Sequence, residues 1–282
     1  MEKPKIGGHV SVAGGLEKLT ERATAIGAEC VQIFTGSPRR YEVKKINKKE
    51  VEGYKKNRGQ ISPVYIHASY LINLASEDEN IKKKSIKSLK EAINYANYID
   101  AEGVVYHPGS PRGGLREKAL EREIRAVIEI LEKTEKGNLI IENTAGLKKI
   151  GTTPEEIGGI LKKVNSKRLK VCIDTAHSIE SGIIDSFSSE NIEKWILRWK
   201  REVGLRNISL LHINDSLTGA GSHHDRHANI GEGFIGINGF KNLMKFKEFK
   251  NIPWILEVPG FNNEGPDKKN IDILKNIRKV AF

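Results

Sequence analysis

The sequence has little cysteine and no long apolar run, and each shortage excludes a class of protein. Its 2 cysteines, Cys30 and Cys172, lie in separate strand-like stretches and form no CxxC pair. They are therefore predicted to be buried, reduced thiols. No apolar run approaches the roughly 18 residues that a membrane helix needs. The first residues, MEKPKIGGHVS, lack the apolar core of a signal peptide, so we expect a cytoplasmic protein with no membrane partner.

Positive charge is abundant instead. The chain has 47 lysines and arginines against 36 aspartates and glutamates, a net charge of +11. A field of this sign attracts polyanions such as nucleic acids. A lysine-rich proteome would give the same excess, so charge alone leaves the partner open. The shortage of methionine, cysteine and glutamine beside many lysines, glutamates and isoleucines is typical of thermophilic proteins.

Short β-branched runs alternate eight times with amphipathic, helix-like segments, without a linker between them. The predicted strands cover about residues 5–10, 29–34, 64–67, 103–107, 138–142, 169–174, 208–213 and 253–257. The predicted helices cover about residues 15–26, 48–57, 80–98, 116–135, 192–203, 239–247 and 270–280, and one more opens at Pro154. The repetition predicts an α/β fold, a (β/α)8 TIM barrel that forms a single domain over residues 1–282. A doubly wound open sheet is the alternative, but it rarely needs eight uniform units.

Side chains that can bind metals stand at or just after the ends of six consecutive predicted strands, namely His67, His107, Glu142, Asp174, His212 and Glu257. Strand ends converge at the face of a parallel barrel where active sites lie, so these residues are expected to be neighbours. Any one of them could be a satisfied core histidine or a capping carboxylate. Six in register indicate a metal site.

Three further candidates lie just past those ends, namely His177, Asp225 and His227. Nine candidates exceed what one four-coordinate zinc uses, so two or three metals are implied. Glu142 is placed in chain order to bridge two of them, because the neighbouring units supply His107 and Asp174. Paired metals promote phosphoryl displacement, so the predicted chemistry is hydrolysis of a phosphodiester.

The glycine-rich run 211–236 contains four histidines and two aspartates, and both Asp215 and Asp225 belong to it. It also spells GxGxxG at Gly231, Gly233 and Gly236. A dinucleotide fingerprint follows its strand directly, whereas this one lies about 18 residues past strand seven, so no dinucleotide site is predicted. His223 and His224 are expected to be loop residues. His9, at the end of strand one, is expected either to support the ligands or to contact the substrate.

Seven short motifs follow one another along the chain. They are HASYLINLAS at 67–76, HPGS at 107–110, IENTAG at 141–146, DTAH at 174–177, HINDS at 212–216, DRHANIGEGFIG at 225–236 and ILE at 255–257. In order and spacing they resemble the endonuclease IV family of abasic-site endonucleases. The match begins at the GHVS of residues 8–11 and so covers nearly the whole domain.

The resemblance implies a DNA-repair enzyme with three zinc ions, some relatives preferring manganese. It assigns three ligand sets: His67, His107 and Glu142; Glu142, Asp174, His212 and Glu257; and His177, Asp225 and His227. It further implies that a hydroxide shared by the first pair of ions attacks the phosphate 5′ to an abasic sugar, with Glu142 as the catalytic residue. The products would carry a 3′-hydroxyl and a 5′-deoxyribose phosphate.

The same resemblance implies that the lesion sugar turns into the metal pocket of a monomeric enzyme bound to double-stranded DNA. The side chains matched to DNA contacts are Arg39, Tyr70 and Leu71. Outside the proposed ligands, the chain departs from the usual family pattern at Leu147, Lys148, Lys149, Ala176 and Val258. These departures bear on loop contacts to DNA and on 3′-end trimming.

Two other functions share parts of this pattern. Metal-dependent sugar isomerases and epimerases use the same barrel with Glu, Asp and His at its strand ends, and fold alone does not separate them. The second is a DNA-binding protein whose metals are only structural. Nine ligand candidates, the basic chain and the arginine and tyrosine loops favour the nuclease.

Overall fold

Eight parallel strands close into a barrel in the computed structural model, which describes residues 3–281. The barrel strands are β1 (Ile6–His9), β2 (Val31–Phe34), β3 (Val64–His67), β4 (Gly103–Tyr106), β5 (Asn138–Glu142), β6 (Leu169–Asp174), β7 (Ile208–His212) and β10 (Trp254–Leu256). Each strand pairs with its neighbours in sequence order, and β1 pairs with β10 to close the ring. The predicted single-domain (β/α)8 fold is confirmed.

Helices connect the strands, and each buries one face except the short helix after β6, which is buried at every residue. They are α1 (Lys18–Ala25), α2 (Lys48–Asn57), α3 (Glu79–Tyr98), α4 (Arg116–Glu132), α5 (Pro154–Val164), α6 (Thr175–Glu180), α7 (Ser189–Glu202), α8 (Gly236–Met244) and α9 (Lys268–Ala281). Short 3-10 turns cover Leu205–Asn207 and Lys247–Phe249. Thr153 caps α5 by accepting from the Glu156 amide, and Pro154 occupies its first turn, where no donor is lost.

Helical spacing of apolar residues explains how the outer layer packs. On α3, the residues Ile86, Leu89, Ile93 and Ala96 are buried, and they recur every three or four positions as the sequence predicted. None of the helices in residues 3–281 is both long and apolar enough to cross a membrane.

A separate buried cluster draws one residue from, or next to, each of seven barrel strands. Its members are Cys30, Tyr65, Val105, Ile140, Cys172, Leu210 and Ile255. Both cysteines are buried and unpaired, as predicted. The alternation of a parallel strand places these side chains on one face, so they fill the space beneath the carboxyl ends of the strands.

Two elements were not anticipated from the sequence. Helix α6 follows β6 without a loop, and an antiparallel ribbon joins β8 (Asp215–Ser216) to β9 (His227–Ala228). Six helical residues and two-residue strands are too short to create a readable periodicity. Several boundaries also differ: the predicted helix 116–135 ends at Glu132, and the predicted helix 239–247 spans Gly236–Met244.

Candidate metal centre

All nine predicted ligands lie together at the carboxyl end of the barrel. Four are the last residues of their strands, namely His67, Glu142, Asp174 and His212. His107 and Glu257 directly follow β4 and β10, and His177 lies on α6. His227 begins β9, and Asp225 lies in the loop just before it. The closure of the barrel thus brings side chains at strand ends that are distant in sequence into one cluster.

Glu142 stands at the centre of this cluster and is fully buried. Its Oε2 atom lies 3.3 Å from Nε2 of His67 and 3.2 Å from Nε2 of His107. Its Oε1 atom lies 3.0 Å from Nδ1 of His212. The two carboxylate oxygens therefore face different histidines, which is the geometry required of a ligand that bridges two cations.

Opposite charges shift the pKa values within the cluster. Burial by itself would raise the pKa of Glu142, but the charges of His212 and His107 hold it well below its ordinary value. Burial would lower the pKa of His212, but Cys172, Glu142 and Glu257 raise it well above its ordinary value. The neighbouring carboxylates therefore favour the protonated form of His212, and a divalent ion bound beside it would replace that proton.

The second ligand set is oriented by a buried glutamine. The Nε2 atom of His212 donates to Oε1 of Gln32 at 2.9 Å, which leaves Nδ1 facing the carboxylates. The Nε2 atom of Gln32 donates to Oε1 of Glu257 at 2.6 Å, and Oε2 of Glu257 lies 3.2 Å from Nδ1 of His212. Ligand atoms of Glu142, Asp174, His212 and Glu257 all lie within 4.8 Å of one another. Loss of the proton from Nδ1 would leave a lone pair directed at these carboxylates, and such an arrangement is suited to a metal ion.

The third predicted set contains two imidazole nitrogens that face a carboxylate without forming a well-directed hydrogen bond. The Nε2 atoms of His177 and His227 lie 3.3 Å and 3.7 Å from Oδ1 of Asp225. Both nitrogens are buried, and neither makes a well-directed hydrogen bond within residues 3–281. The other ring nitrogen of His177 donates to the Asn143 carbonyl at 2.9 Å, which fixes the ring. Orphaned, pre-oriented nitrogens of this kind fit a cation between them.

At the third predicted metal position, the groups of metal-binding side chains in the structure differ from the ligand set that the resemblance implied. The first two sets each form one compact group. The third is spread over two groups that share His177: one adds Asp174 and His227, and the other adds Glu180 and Asp225. Glu180 was not among the residues singled out from the sequence.

Amides that hold the ligands were also missed. Asn214 donates from Nδ2 to Oδ2 of Asp174 at 2.6 Å, and its Oδ1 accepts from the Glu257 amide at 2.7 Å. Asn143 Oδ1 accepts from the Asp174 amide at 2.7 Å. The sequence does contain a signal that could have identified these three side chains. Gln32 interrupts the apolar run VQIF, and each asparagine stands one or two residues beyond a proposed ligand. His9 joins this layer, with Nδ1 at 3.1 Å from Nε2 of Gln32.

Asp215 has a structural role rather than a place in the metal cluster. Its buried carboxylate accepts hydrogen bonds from the backbone amides of Gly231, Gly233, Ile235 and Gly236. The GxGxxG pattern is therefore a loop wrapped around a carboxylate of the same chain. Gly233 is required there, since a Cβ atom would overlap both the Ser216 carbonyl and the Asp215 carboxylate.

The three residues matched to DNA contacts lie on two loops at the rim. Arg39 is exposed, and Tyr70 and Leu71 are 62% and 40% exposed. The amide of Tyr70 donates to the Pro38 carbonyl at 2.9 Å, and the Tyr41 hydroxyl donates to the Leu71 carbonyl at 2.9 Å. These bonds tie the loops together and present all three side chains to solvent.

A cavity of about 1270 Å³ opens beside the metal cluster. Its wall includes His9, Phe34, Tyr70 and Glu257, so it connects the rim loops with the second ligand set. The His9 and Phe34 rings pack at a centroid distance of 4.2 Å on its floor. A polar group bound in this cavity would be adjacent to the ligands.

Comparison with known proteins gives a consistent result. A family model described as a xylose isomerase-like TIM barrel matches residues 20–277. A probable endonuclease 4 of Carboxydothermus hydrogenoformans is 37% identical over 280 residues, which cover 98% of this chain and 97% of that protein. The crystal structure of endonuclease IV from Thermus thermophilus matches with a TM-score of 0.84 and 32% identity, covering 99% of this chain and 100% of that one. A D-tagatose 3-epimerase-like protein matches with a TM-score of 0.72 at 22% identity over 98% of each chain, and this likeness shows the fold alone.

Proposed function

Because the chain belongs to the endonuclease IV family of nucleases, we propose that it hydrolyses the phosphodiester bond 5′ to abasic sites in duplex DNA. The products would carry a 3′-hydroxyl and a 5′-deoxyribose phosphate. The observation that supports this best is the position of the buried Glu142, whose two oxygens face different histidines at the centre of nine potential ligands.

We assign the cluster to three divalent cations, zinc at each position with manganese as the alternative. The first would be held by His67, His107 and Glu142, and the second by Glu142, Asp174, His212 and Glu257. The third would be held by His177, Asp225 and His227. The orphaned Nε2 atoms of His177 and His227 support the fit. Cations held there would supply Lewis-acid stabilisation of the charge that develops on the phosphoryl oxygens.

The side chains of this site are held in place before substrate arrives. His67 donates from Nδ1 to the Ala68 carbonyl at 2.8 Å, which directs Nε2 toward Glu142. Gln32 and Asn143 fix His212 and His177 in the same manner. Fixed rings need no reorganisation during the reaction, which is how a preorganised polar site lowers a barrier. Burial of Glu142 and His212 excludes bulk water from the centre.

Double-stranded DNA containing abasic sites is the proposed partner, and a monomer in the cytoplasm is the proposed acting form. Arg39, Tyr70 and Leu71 would enter the duplex beside the lesion, while the sugar turns toward the metal cluster. Losing a base removes pairing and stacking, so extrusion of an abasic sugar costs less than extrusion of an intact nucleotide. The net charge of +11 favours association with the phosphate backbone.

A duplex containing one tetrahydrofuran abasic analogue tests this proposal. With zinc or manganese present, we expect a single incision 5′ to the analogue and a 3′ end that a DNA polymerase can extend. A duplex of identical sequence without the analogue is the control. Absence of incision with either metal would refute the proposed nuclease activity. Conversion of a ketose to its epimer would support the alternative function as an epimerase, which shares the fold.

A further inference from the structure

Glu180 is a buried carboxylate next to the third metal position and outside the nine assigned ligands. It is the last residue of α6, and it is 0% exposed. His177 lies three positions earlier on the same helix, so both side chains project to one face. A carboxylate oxygen of Glu180, a ring nitrogen of His177 and a carboxylate oxygen of Asp225 all lie within 4.8 Å of one another.

The two oxygens of Glu180 have different surroundings. Oε1 accepts from the Ser216 hydroxyl at 2.6 Å and from the Arg226 amide at 3.1 Å. Oε2 is buried and has no hydrogen-bond partner within residues 3–281, and the same holds for Nε2 of His177. A buried carboxylate oxygen without a partner is costly unless a cation compensates it. Two buried ligand atoms without hydrogen-bond partners, on one face of one helix, fit a cation bound beside them.

We propose that Glu180 is a further ligand of the third cation, beside His177, Asp225 and His227. The inference rests on the metal centre proposed above. Two metal–ligand bonds of about 2.1 Å span up to ~4.2 Å, and the ligand atoms of this group lie within 4.8 Å of one another, so a small rotation of the carboxylate would complete the coordination. A second carboxylate makes this donor set harder than the first one, which has two imidazoles and one carboxylate. The third position of this chain therefore accepts Mn²⁺ more readily than the first.

A purely structural role for Glu180 makes a different prediction. The bonds to Ser216 and Arg226 tie α6 to the loop that carries Asp225, so the side chain could act only as an anchor. Glu180→Gln keeps an oxygen that can accept both bonds but removes the anionic ligand. Glu180→Ala removes both. Ser216→Ala removes one bond to the anchor and leaves the carboxylate intact.

Metal content of the full chain separates the two roles. Protein is loaded with Zn²⁺ or with Mn²⁺, dialysed against a series of chelator concentrations and analysed by mass spectrometry. Wild type should retain three ions, and Glu180→Gln and Glu180→Ala should both lose one at chelator concentrations about 10–100-fold lower. Ser216→Ala should behave as wild type, as should Glu190→Gln, which changes an exposed carboxylate on α7. Circular dichroism verifies that each variant is folded.

Three results would overturn the proposal. The first is that Glu180→Gln retains a third ion as tightly as wild type does. The second is that only Glu180→Ala loses the third ion, which would mean that Glu180 acts as a structural anchor and not as a ligand. The third is a wild-type protein that never binds a third ion. If a variant fails to fold, anomalous diffraction from wild-type crystals decides, since Glu180 must then lie within about 2.0–2.5 Å of the ion. Incision of the abasic duplex by wild type is scored separately, so loss of this proposal leaves the nuclease proposal standing.

Discussion

The Oε1 atom of Glu142 lies 3.0 Å from Nδ1 of His212, and both side chains are fully buried. This pair joins the first ligand set to the second, because the other oxygen of Glu142 faces His67 and His107. In the proposed metal centre, removing one carboxylate oxygen would therefore remove the link between the first two cations. Glu142 contacts more of the nine residues than a histidine at the edge of the cluster does, so its loss should disturb the site most.

Glu142→Gln should abolish incision while duplex binding survives. The amide keeps the volume of the side chain but cannot bridge two cations, and one of its atoms becomes a donor facing imidazoles. We expect incision of the abasic duplex to fall by about 10³-fold or more, equivalent to ~4 kcal/mol of transition-state stabilisation. Gel-shift affinity should change by less than about threefold, since the rim loops are untouched. Retained cleavage would contradict the assignment of Glu142 as the catalytic residue.

Gln32→Leu should weaken metal retention, although Gln32 is not itself one of the proposed ligands. The substitution removes the acceptor for Nε2 of His212 and the donor to Glu257, so both ligands lose their orientation. Loss of such supporting bonds typically weakens metal affinity by about 10–100-fold, and competition with a chromogenic zinc chelator measures it. Gln60→Leu is the matched control, because Gln60 is exposed on the loop before β3. Equal affinities in the two variants would argue against a supporting role for Gln32.

Arg39→Ala should reduce binding to the lesion selectively. Arg39 is exposed on a loop tied to Tyr70 through the Pro38 carbonyl, so its loss removes a contact without disturbing the metal cluster. Affinity for the abasic duplex should fall about 10-fold, or ~1.4 kcal/mol, in fluorescence anisotropy titrations. Arg206→Ala is the control, since this exposed arginine lies before β7 at the opposite end of the strand. A similar loss in both variants would indicate general attraction to phosphates rather than insertion at the lesion.

The barrel and the ligand positions are predictable from the sequence for one physical reason. Six of the nine proposed ligands end a short apolar run or directly follow one, and a parallel barrel brings all such ends to one face. His67, Glu142 and Asp174 end their strands in the structure at the positions where the sequence pattern ends them. The barrel topology is therefore sufficient to bring these side chains, which are distant in sequence, together in space.

The supporting contacts follow no such rule. Gln32 donates to Glu257 across 225 positions of sequence, and this pairing depends on the closure of the barrel rather than on any local periodicity. Glu180 lies on a helix of 6 residues, too short for a periodic signal, and its relation to Asp225 depends on the ribbon after β7. Asp215 resembles a ligand in sequence because it follows His212 by 3 residues. Only the fold of the glycine-rich loop assigns it to the backbone amides.

Asp215→Ala should destabilise the protein strongly. Amides of four loop residues donate to this buried carboxylate, and each would lose its partner. Leaving a buried donor unsatisfied costs about 1–3 kcal/mol, so the free energy of unfolding should fall by at least ~3 kcal/mol in urea titrations. Asp215→Asn should be less harmful, because one oxygen remains to accept. A loss below ~1 kcal/mol in the alanine variant would show that the loop is held by other contacts.

Glu123 should make stability fall as pH rises. The Tyr106 hydroxyl donates to Oε1 of Glu123 at 2.8 Å, and both residues are fully buried. Burial raises the pKa of Glu123 to about 8 from an ordinary value of 4.5. Between these values the native protein keeps a proton that the unfolded chain has released, so the free energy of unfolding decreases with pH by up to ~1.4 kcal/mol per unit.

Glu123→Gln removes this titration and keeps an acceptor for Tyr106, so the variant should gain stability relative to wild type as pH increases. Between pH 5 and pH 8 the difference between the two unfolding free energies should change by up to about 4 kcal/mol in favour of the glutamine. Titrations that affect metal binding occur in both proteins and cancel in the difference. Glu121→Gln on the same helix provides the control, since Glu121 is exposed and should give a curve parallel to wild type. Parallel curves for Glu123→Gln as well would mean that Glu123 is ionised in the native state and that water reaches its second oxygen.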